Sequence, residues 1–228
     1  MFDHPLAKKY YERGIVVDCW HFTPISGAQY AARMCTKTTE KAELSLTYQC
    51  PSEEAVNFLK KLLAKGHESV FEHIVYSFTI RGISRACLQQ LARHRIASLS
   101  VESTRWTLGW LKGLYPFKAQ AITPQHPAFR YLIPTGDEKV DIKNIKQLNS
   151  VIELLEHGLP DDVVKYALPE SFRTSLMWTI NCRSLRNFLR LRTAKRAMEE
   201  IRAVAYMVFI TIPNSHQFLY EDVVAEGE

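Results

Sequence analysis

In two segments of this 228-residue chain, more apolar side chains alternate with more polar ones, and each segment leads directly into a helical pattern. Residues 74–81 place Ile, Tyr, Phe and Ile on one face, and residues 172–180 repeat the alternation with Phe, Thr, Leu, Trp and Ile. A period of two predicts strands, each with its more apolar face against a core. Helical spacing follows in ISRACLQQLARHR and, with one break, in SLRNFLRLRTAKRAMEEIRAVAYMVF.

The rest of the chain has compatible patterns. They predict a strand at 15–23, a helix from about Pro24, a helix that Ser52 caps and Gly66 ends, a helix at 141–158 and a short helix after Pro160. Residues 96–105 are expected to form a turn or loop, and residues 115–140 to form loops. We therefore predict one α/β (α+β) domain over residues 1–228, with a mixed, largely antiparallel β-sheet flanked by helices.

Composition restricts the class of protein. With 46% hydrophobic and 23% charged residues, the chain can bury one sizeable core. It has no run of eighteen apolar residues, and its first residues lack the apolar run of a signal peptide, so a soluble, cytoplasmic protein without membrane contact is expected. The five cysteines are widely spaced without a CxxC pair, which predicts neither a disulfide framework nor a metal site.

Net charge indicates the kind of ligand. The formal charge of +5 comes from 29 basic and 24 acidic residues, and the basic residues are clustered locally. Acidic residues interrupt the carboxy-terminal third, whereas a nucleic-acid binder would more often present a continuous basic face. The pattern therefore favours anionic small molecules and no nucleic acid.

The most specific chemical motif is Arg93-His94-Arg95, followed after seven residues by Ser103 and then by Arg105. Guanidinium groups match phosphate oxygens with two parallel hydrogen bonds, and the imidazole and hydroxyl add smaller donors. An isolated RHR could be a solvated helix end, where basic residues are favoured. The whole pattern has odds of roughly one in ten thousand of arising by chance in a chain this long, so it indicates an anion site.

RHRIASLSVES, with the STR that overlaps its end, resembles the signature of the flavin-dependent thymidylate synthases. The segments KGHESVFEH, QQLARHR and ALPESFRTSLMWTINCRSLRNFLRLR are similar to further segments of that family. The resemblance covers roughly residues 20 to 220.

This resemblance implies two groups of site residues. Those expected to hold FAD are His67, Ser69, Glu72, Arg93, His94, Arg95, Asn181, Arg183 and Asn187. Those expected to bind dUMP are Gln90, Arg93, Ser103, Thr104, Arg105, Lys165 and Arg192. By the same resemblance Arg192 faces the uracil ring, where a fixed cation favours the ionised N3 or the developing enolate at O4 and makes C6 more electrophilic.

The implied activity is the reductive methylation of dUMP to dTMP. In this route 5,10-methylenetetrahydrofolate donates the carbon and NADPH reduces the FAD, within a homotetramer that shares active sites between subunits. None of the five cysteines lies in a motif that would make it a nucleophile. The sequence shows no Ser-His-acid arrangement that would give Ser103 a general base, so Ser103 is assigned to substrate binding. The chain departs from the family pattern at four positions. Family members often have arginine at the position of Lys165, glutamate at that of Val101 and asparagine at that of Ser100, and some have histidine at that of Arg196.

Several of these residues have alternative interpretations. Asn181 could cap a helix, Glu72 and His73 could be structural, and Arg186, Arg190 and Arg196 could be solvated or interface charges. Two other functions stay open. The arginines could bind nucleic acid, with Trp106, Trp110 and Tyr115 as stacking platforms, or the chain could be a nucleotide-binding module without catalysis.

Overall fold

The fold is built on a four-stranded antiparallel sheet. A computed structural model describes residues 4–41, 51–114 and 116–225. The strands are β1 (Val16–Phe22), β2 (Val75–Ser84), β3 (Ala97–Val101) and β4 (Arg173–Asn181), in the order β1-β2-β4-β3. All three pairings are antiparallel, so the largely antiparallel sheet is confirmed and the mixed one is not found in the described chain.

The predicted alternation sets the register of the two central strands. Tyr76 lies opposite Ile180 and Phe78 lies opposite Trp178, and all four side chains are buried. Because the side-chain period is two, this register brings the apolar faces of β2 and β4 to the same side. The predicted strands at the two alternating segments and at 15–23 are confirmed.

The strand β3 replaces the turn or loop that was predicted for residues 96–105. It pairs with β4 along its whole length, and its serines point away from the half-buried Ala97 and Leu99. Without β3, one edge of β4 would leave its backbone N–H and C=O groups unpaired. A short segment with weak strand character is therefore ordered by its neighbour, which local sequence does not reveal.

Helices cover the sheet and connect its strands. They are α1 (Pro5–Glu12), α2 (Ser26–Cys35), α3 (Glu53–Ala64), α4 (Arg85–Leu91), α5 (Thr104–Thr107), α6 (Glu138–Glu156), α7 (Asp161–Val164), α8 (Cys182–Arg192), α9 (Glu199–Thr211), α10 (Asn214–Gln217) and α11 (Glu221–Ala225). Short 3-10 segments occur at Thr39–Lys41, Glu68–His73, Leu108–Leu111, Pro127–Arg130 and Lys165–Ala167. Among the described residues no helix is long and apolar enough to cross a membrane.

The helix boundaries follow the expected capping signals. Ser52 accepts a hydrogen bond from the Ala55 backbone N–H at 3.2 Å, and Gly66 follows the helix with a φ of +72°. The predicted helix at 141–158 begins earlier, at Glu138, because Asp137 caps it by accepting from the Val140 backbone N–H at 3.0 Å. The predicted break in the last helical region is also confirmed, between α8 and α9.

Buried apolar side chains form two clusters. The larger one lies between the sheet and helices α8 and α9, and its members include Trp178, Phe188 and Met207, which are fully buried. The smaller one packs along α6, with Leu148 and Leu155 at its centre. The last long helix, α9, therefore contributes its apolar side chains to the core.

Arg173, at the start of β4, joins three segments. Its guanidinium donates to the backbone carbonyls of Arg13, Gly82 and Phe129. Burial lowers its pKa from the usual value of an arginine. Gly82 lies where the pairing of β2 with β4 shifts register between Ile80 and Ile83, and its φ is +74°. This irregularity brings the end of β2 close to Gly14.

Candidate active site

Arg192, the last residue of α8, is fixed by two residues from the end of α4 and just beyond it. Its Nη1 donates to Gln90 Oε1 at 2.8 Å, its Nη2 donates to the Gln90 backbone carbonyl at 3.2 Å, and its Nε donates to His94 Nε2 at 3.0 Å. We call Gln90, His94 and Arg192 the Arg192 cluster. Since a guanidinium has five N–H groups, two remain for a ligand, and their direction is set by these three hydrogen bonds.

His94 is neutral in this cluster. The side chain is buried and meets the edge of Phe188 at a ring-centroid distance of 5.0 Å. Burial and then the nearby Arg192 guanidinium lower the pKa of His94 to about 4. Because Arg192 Nε is a donor, His94 Nε2 must accept, and the imidazole proton lies on Nδ1.

We expect the folded protein to keep His94 neutral throughout the physiological range. A base whose pKa falls from about 6.5 to about 4 gains its proton only at the lower pH, so protonation should be seen below pH 5. ¹⁵N-resolved NMR of the imidazole would measure this titration and show the Nδ1-protonated tautomer. In Arg192→Met the pKa of His94 should rise without reaching 6.5, because burial remains. A His94 pKa near 6.5 in the unmodified protein would contradict the assignment.

A cavity of about 620 Å³ lies beside the Arg192 cluster. We call it the arginine cavity, and its lining residues are Glu68, Glu72, Arg93, His94, Arg95, Ile96, Arg183, Ser184, Arg186, Asn187, Arg190, Leu191 and Arg192. Six arginines therefore face two carboxylates and one neutral imidazole. The volume is typical of ligand sites, and the excess of guanidinium groups fits a ligand with several negative charges.

A second group of basic residues lies outside this cavity. Arg105 in α5 and Lys165 just after α7 both contact the same carboxylate oxygen of Asp162, at 3.0 and 3.4 Å. Ser103 occupies the N-cap position of α5, where its backbone carbonyl accepts from the N–H groups of Trp106 and Thr107. We call Arg105, Asp162 and Lys165 the Asp162 bridge. None of these residues lines the arginine cavity.

Comparison with known proteins identifies the family. The family described as thymidylate synthase complementing protein matches residues 21–213. A flavin-dependent thymidylate synthase from Helicobacter pylori is 39% identical over 207 residues, which are 90% of this chain and 97% of that protein. One from Campylobacter jejuni is 42% identical over 200 residues, 87% of this chain and 92% of that protein.

The chain belongs to the flavin-dependent thymidylate synthases.

A solved structure supports the same family at the level of the fold. It is a crystal structure of thymidylate synthase X from Helicobacter pylori with FAD and dUMP, with a TM-score of 0.84 and 37% identity. The match covers 92% of this chain and 99% of that one. The recognition of a flavin-dependent thymidylate synthase from the sequence is thereby confirmed.

The arginine cavity brings together most of the residues that the resemblance assigned to FAD. Arg93, Arg95 and Asn187 line it, and within the described ranges their side chains have no hydrogen-bonding or ion-pair partner. Arg183 also lines it, and its Nη1 lies 2.7 Å from Glu72 Oε1. Unpaired guanidinium and amide groups at one cavity fit the phosphates and the polar ring edge of a flavin nucleotide.

Three other predicted flavin residues lie differently in this flavin-dependent thymidylate synthase. Ser69 lines a separate cavity, which contains Tyr30 and Met34. His67 is exposed at the N-cap of the 3-10 segment Glu68–His73 and lines neither this cavity nor the arginine cavity. Asn181 caps α8, accepting from the Ser184 backbone N–H at 2.8 Å, so the alternative interpretation of this residue as a cap is confirmed. Their contacts with FAD stay predictions.

The residues assigned to dUMP are divided between the two basic groups. Gln90, Arg93 and Arg192 belong to the arginine cavity and its cluster. Arg105 and Lys165 belong to the Asp162 bridge, and Ser103 and Thr104 directly precede Arg105 at the start of α5. Within a single chain, the two groups of residues therefore do not line the same described cavity. Their roles toward dUMP stay predictions.

Sequence reasoning missed the carboxylates that position these arginines. Glu68 lies 3.7 Å from Arg183 and 3.5 Å from Arg186, and Asp222 forms two hydrogen bonds of 2.8 and 2.7 Å with Arg186. The interpretation of Arg186 as a solvated or interface charge is wrong in this chain, because its side chain is buried and also donates to the Leu219 carbonyl. The available signal was helical spacing, which places Arg186 next to Cys182 and Leu189 on the buried side of α8.

Metal binding has no support from the described residues. Within ranges 4–41, 51–114 and 116–225, no group of three or more His, Cys, Asp or Glu side chains is placed to hold an ion.

Proposed function

We propose that this chain catalyses the reductive methylation of dUMP to dTMP, with 5,10-methylenetetrahydrofolate as the carbon donor and NADPH as the reductant of FAD. The observation that carries the proposal is the Arg192 cluster, where a guanidinium fixed on three sides keeps two N–H groups free at the edge of a cationic cavity. Membership of the flavin-dependent thymidylate synthases supports it, and the solved structure of the Helicobacter pylori protein contains FAD and dUMP.

Arg93, Arg95, Arg183 and Asn187 are the residues that would hold FAD. They line one cavity, and three of them offer donors that are unpaired among the described residues. When bound in its reduced form, FAD supplies the hydride of the reaction. Five further residues are expected from the family and would complete the site. His67, Ser69 and Glu72 lie in or next to the 3-10 segment Glu68–His73, His94 lies just beyond α4, and Asn181 precedes α8.

Arg192 would act on the pyrimidine by charge. Its guanidinium is held in place before substrate arrives, so little reorganisation is needed when negative charge develops at N3 or O4. The neutral His94 accepts a hydrogen bond from Arg192 and brings no competing positive charge. The cluster therefore combines one fixed cation with two free donors, which fits stabilisation of an electron-rich uracil ring.

A cysteine nucleophile has no support in the described chain. Burial raises the pKa of Cys19 to about 11 and that of Cys182 to about 12, and it raises the pKa of Cys87 well above its usual value. Cys35 is exposed but does not line the arginine cavity. Cys50 lies outside the described residues. Activation of the ring by a thiolate is therefore disfavoured.

The phosphate of dUMP would bind near the Asp162 bridge, with Ser103, Thr104, Arg105 and Lys165 as its contacts. Since these residues lie outside the arginine cavity of the same chain, a homotetramer with shared active sites would explain how they reach one nucleotide. We also propose that residues 1–228 act as a single flavin-dependent thymidylate synthase domain in the cytoplasm.

The experiment that tests this function is a visible absorbance spectrum of the full chain after incubation with FAD and desalting. Retained flavin bands that bleach anaerobically with NADPH in the presence of dUMP, followed by dTMP formation when 5,10-methylenetetrahydrofolate is added, are expected. Protein that retains no flavin, or whose flavin bleaches without dTMP being formed, would contradict the proposed thymidylate synthase activity.

One observation favours a second candidate, a single-stranded nucleic-acid binder. Trp106 and Trp110 are 81% and 75% exposed and follow Arg105, as stacking platforms would require. Tyr115, the third expected platform, lies outside the described residues. Tight, salt-dependent oligonucleotide binding without flavin retention would support this candidate against the synthase.

A further inference from the structure

Two cations from different elements share one carboxylate oxygen in the Asp162 bridge. Arg105 Nε lies 3.0 Å from Asp162 Oδ1, and Lys165 Nζ lies 3.4 Å from the same oxygen. Arg105 belongs to α5 and Asp162 to α7, and these two helices pack against each other. Apart from Asp162, no carboxylate forms an ion pair with Arg105 or Lys165 within the part of the chain that the structure describes.

The bridge is accessible to solvent and to ligands. The side chains of Arg105, Asp162 and Lys165 are 66%, 51% and 34% exposed. Exposed ion pairs contribute little to stability, because water and salt screen both charges. The contacts of Asp162 with the two cations are therefore easily exchanged for contacts with another anion.

The geometry resembles the coordination of a phosphate oxygen. An anionic oxygen between a guanidinium and an ammonium group is the arrangement that both cations offer to phosphate. A phosphate monoester carries a charge of about −1.5 to −2 near neutral pH, whereas the Asp162 carboxylate carries one negative charge. A phosphate monoester should therefore outcompete Asp162, while a ligand with no charge gains nothing at this place.

We propose that Asp162 is a positioning residue that occupies the phosphate position of the nucleotide when the site is empty and leaves it when a phosphate monoester binds. This inference rests on the proposed function, since it takes Arg105 and Lys165 as the phosphate contacts. Asp162 keeps the two cations together, and only a ligand that carries a phosphate group displaces it. The affinity for dUMP is lowered by the affinity of the bridge for its own carboxylate.

The test compares ligand binding by Asp162→Asn and by a matched control, Asp161→Asn. Both variants lose one negative charge from the first turn of α7, but Asp161 forms no ion pair with Arg105 or Lys165. Calorimetry of the FAD-loaded full chain at fixed ionic strength should show dUMP binding about 3- to 10-fold tighter for Asp162→Asn, the gain expected from removing two weak ion pairs. The control should stay within about 2-fold of the unmodified protein.

Deoxyuridine separates exchange with phosphate from a general structural effect. Its affinity, measured in the same way, should not change in either variant, because it has no phosphate to displace Asp162. Asp162→Ser removes the carboxylate by a second substitution and should reproduce the tighter dUMP binding. Unchanged or weaker dUMP binding in both Asp162 variants would overturn the proposal, and so would an equal gain for deoxyuridine.

Failure of this inference can be distinguished from failure of the proposed function. If the unmodified protein forms dTMP while the Asp162 variants bind dUMP with unchanged affinity, the proposed exchange of Asp162 for phosphate is wrong and the proposed synthase activity is correct. If the unmodified protein binds no dUMP with FAD present, the proposed function and the exchange are both wrong.

Discussion

Arg192→Ala will lower the rate of dTMP formation by a factor of about 10³ or more and will leave FAD bound. Loss of one donor directed at developing charge costs about 10² to 10³ in rate, and Arg192 presents two free N–H groups together with its charge. The proposed flavin contacts Arg93, Arg95 and Asn187 form no hydrogen bond with Arg192 among the described residues, so they stay in place without it. The initial rate of dTMP formation and the visible flavin absorbance after desalting measure the two effects.

Two further variants define what Arg192 contributes. Arg192→Lys keeps the charge but loses the planar fork and the Nε–H that His94 accepts, so its rate should lie between those of the alanine variant and the unmodified protein. Arg196→Ala removes an exposed charge outside the arginine cavity and should keep the rate within about 2-fold. Near-normal turnover by Arg192→Ala would remove this residue from the mechanism.

The elements that the sequence predicted well are those whose signals are local. The alternation at 74–81 and 172–180 and the caps at Ser52 and Gly66 depend on residues close in the chain, and the structure confirms them. The strand β3 was missed because its order comes from the free edge of β4, which lies more than seventy residues away along the chain. Local patterns do not contain that partner.

The same reasoning explains what could be predicted of the candidate site. The arginines were found because a motif with fixed spacing places them near one another. Glu68 and Asp162 were not found, since the contacts of Glu68 with Arg183 and of Asp162 with Arg105 join segments that only the fold brings together. The arginines of the motif therefore indicated an anion site, and tertiary structure supplied the carboxylates that position them.

Gly82→Ala will destabilise the fold more than any other glycine-to-alanine change at a positive φ in the described chain. Gly82 has a φ of +74°, and a Cβ atom there would lie 2.5 Å from the Gly14 carbonyl oxygen and 3.0 Å from Arg173 Nη1. The left-handed conformation costs an alanine about 1–2 kcal/mol. Relief of the clash requires movement of the backbone or of Arg173, which costs about 1–3 kcal/mol more. We expect a loss of about 2–5 kcal/mol in the free energy of unfolding.

Gly66→Ala is the matched control, because it shares the backbone conformation without the contact. Its φ is +72°, and a Cβ atom there would meet no heavy atom within 4 Å. It should lose only the conformational part, about 1–2 kcal/mol. Urea denaturation of both variants, monitored by circular dichroism, measures the difference in the free energy of unfolding, provided that this free energy falls with urea concentration at the same slope in both. Equal losses in the two variants would show that the close approach of Gly82 to Gly14 and Arg173 adds nothing to the cost. A larger loss for Gly82→Ala would show that the fold depends on the contact of β2 with the end of α1, which Arg173 holds through the Arg13 and Gly82 carbonyls.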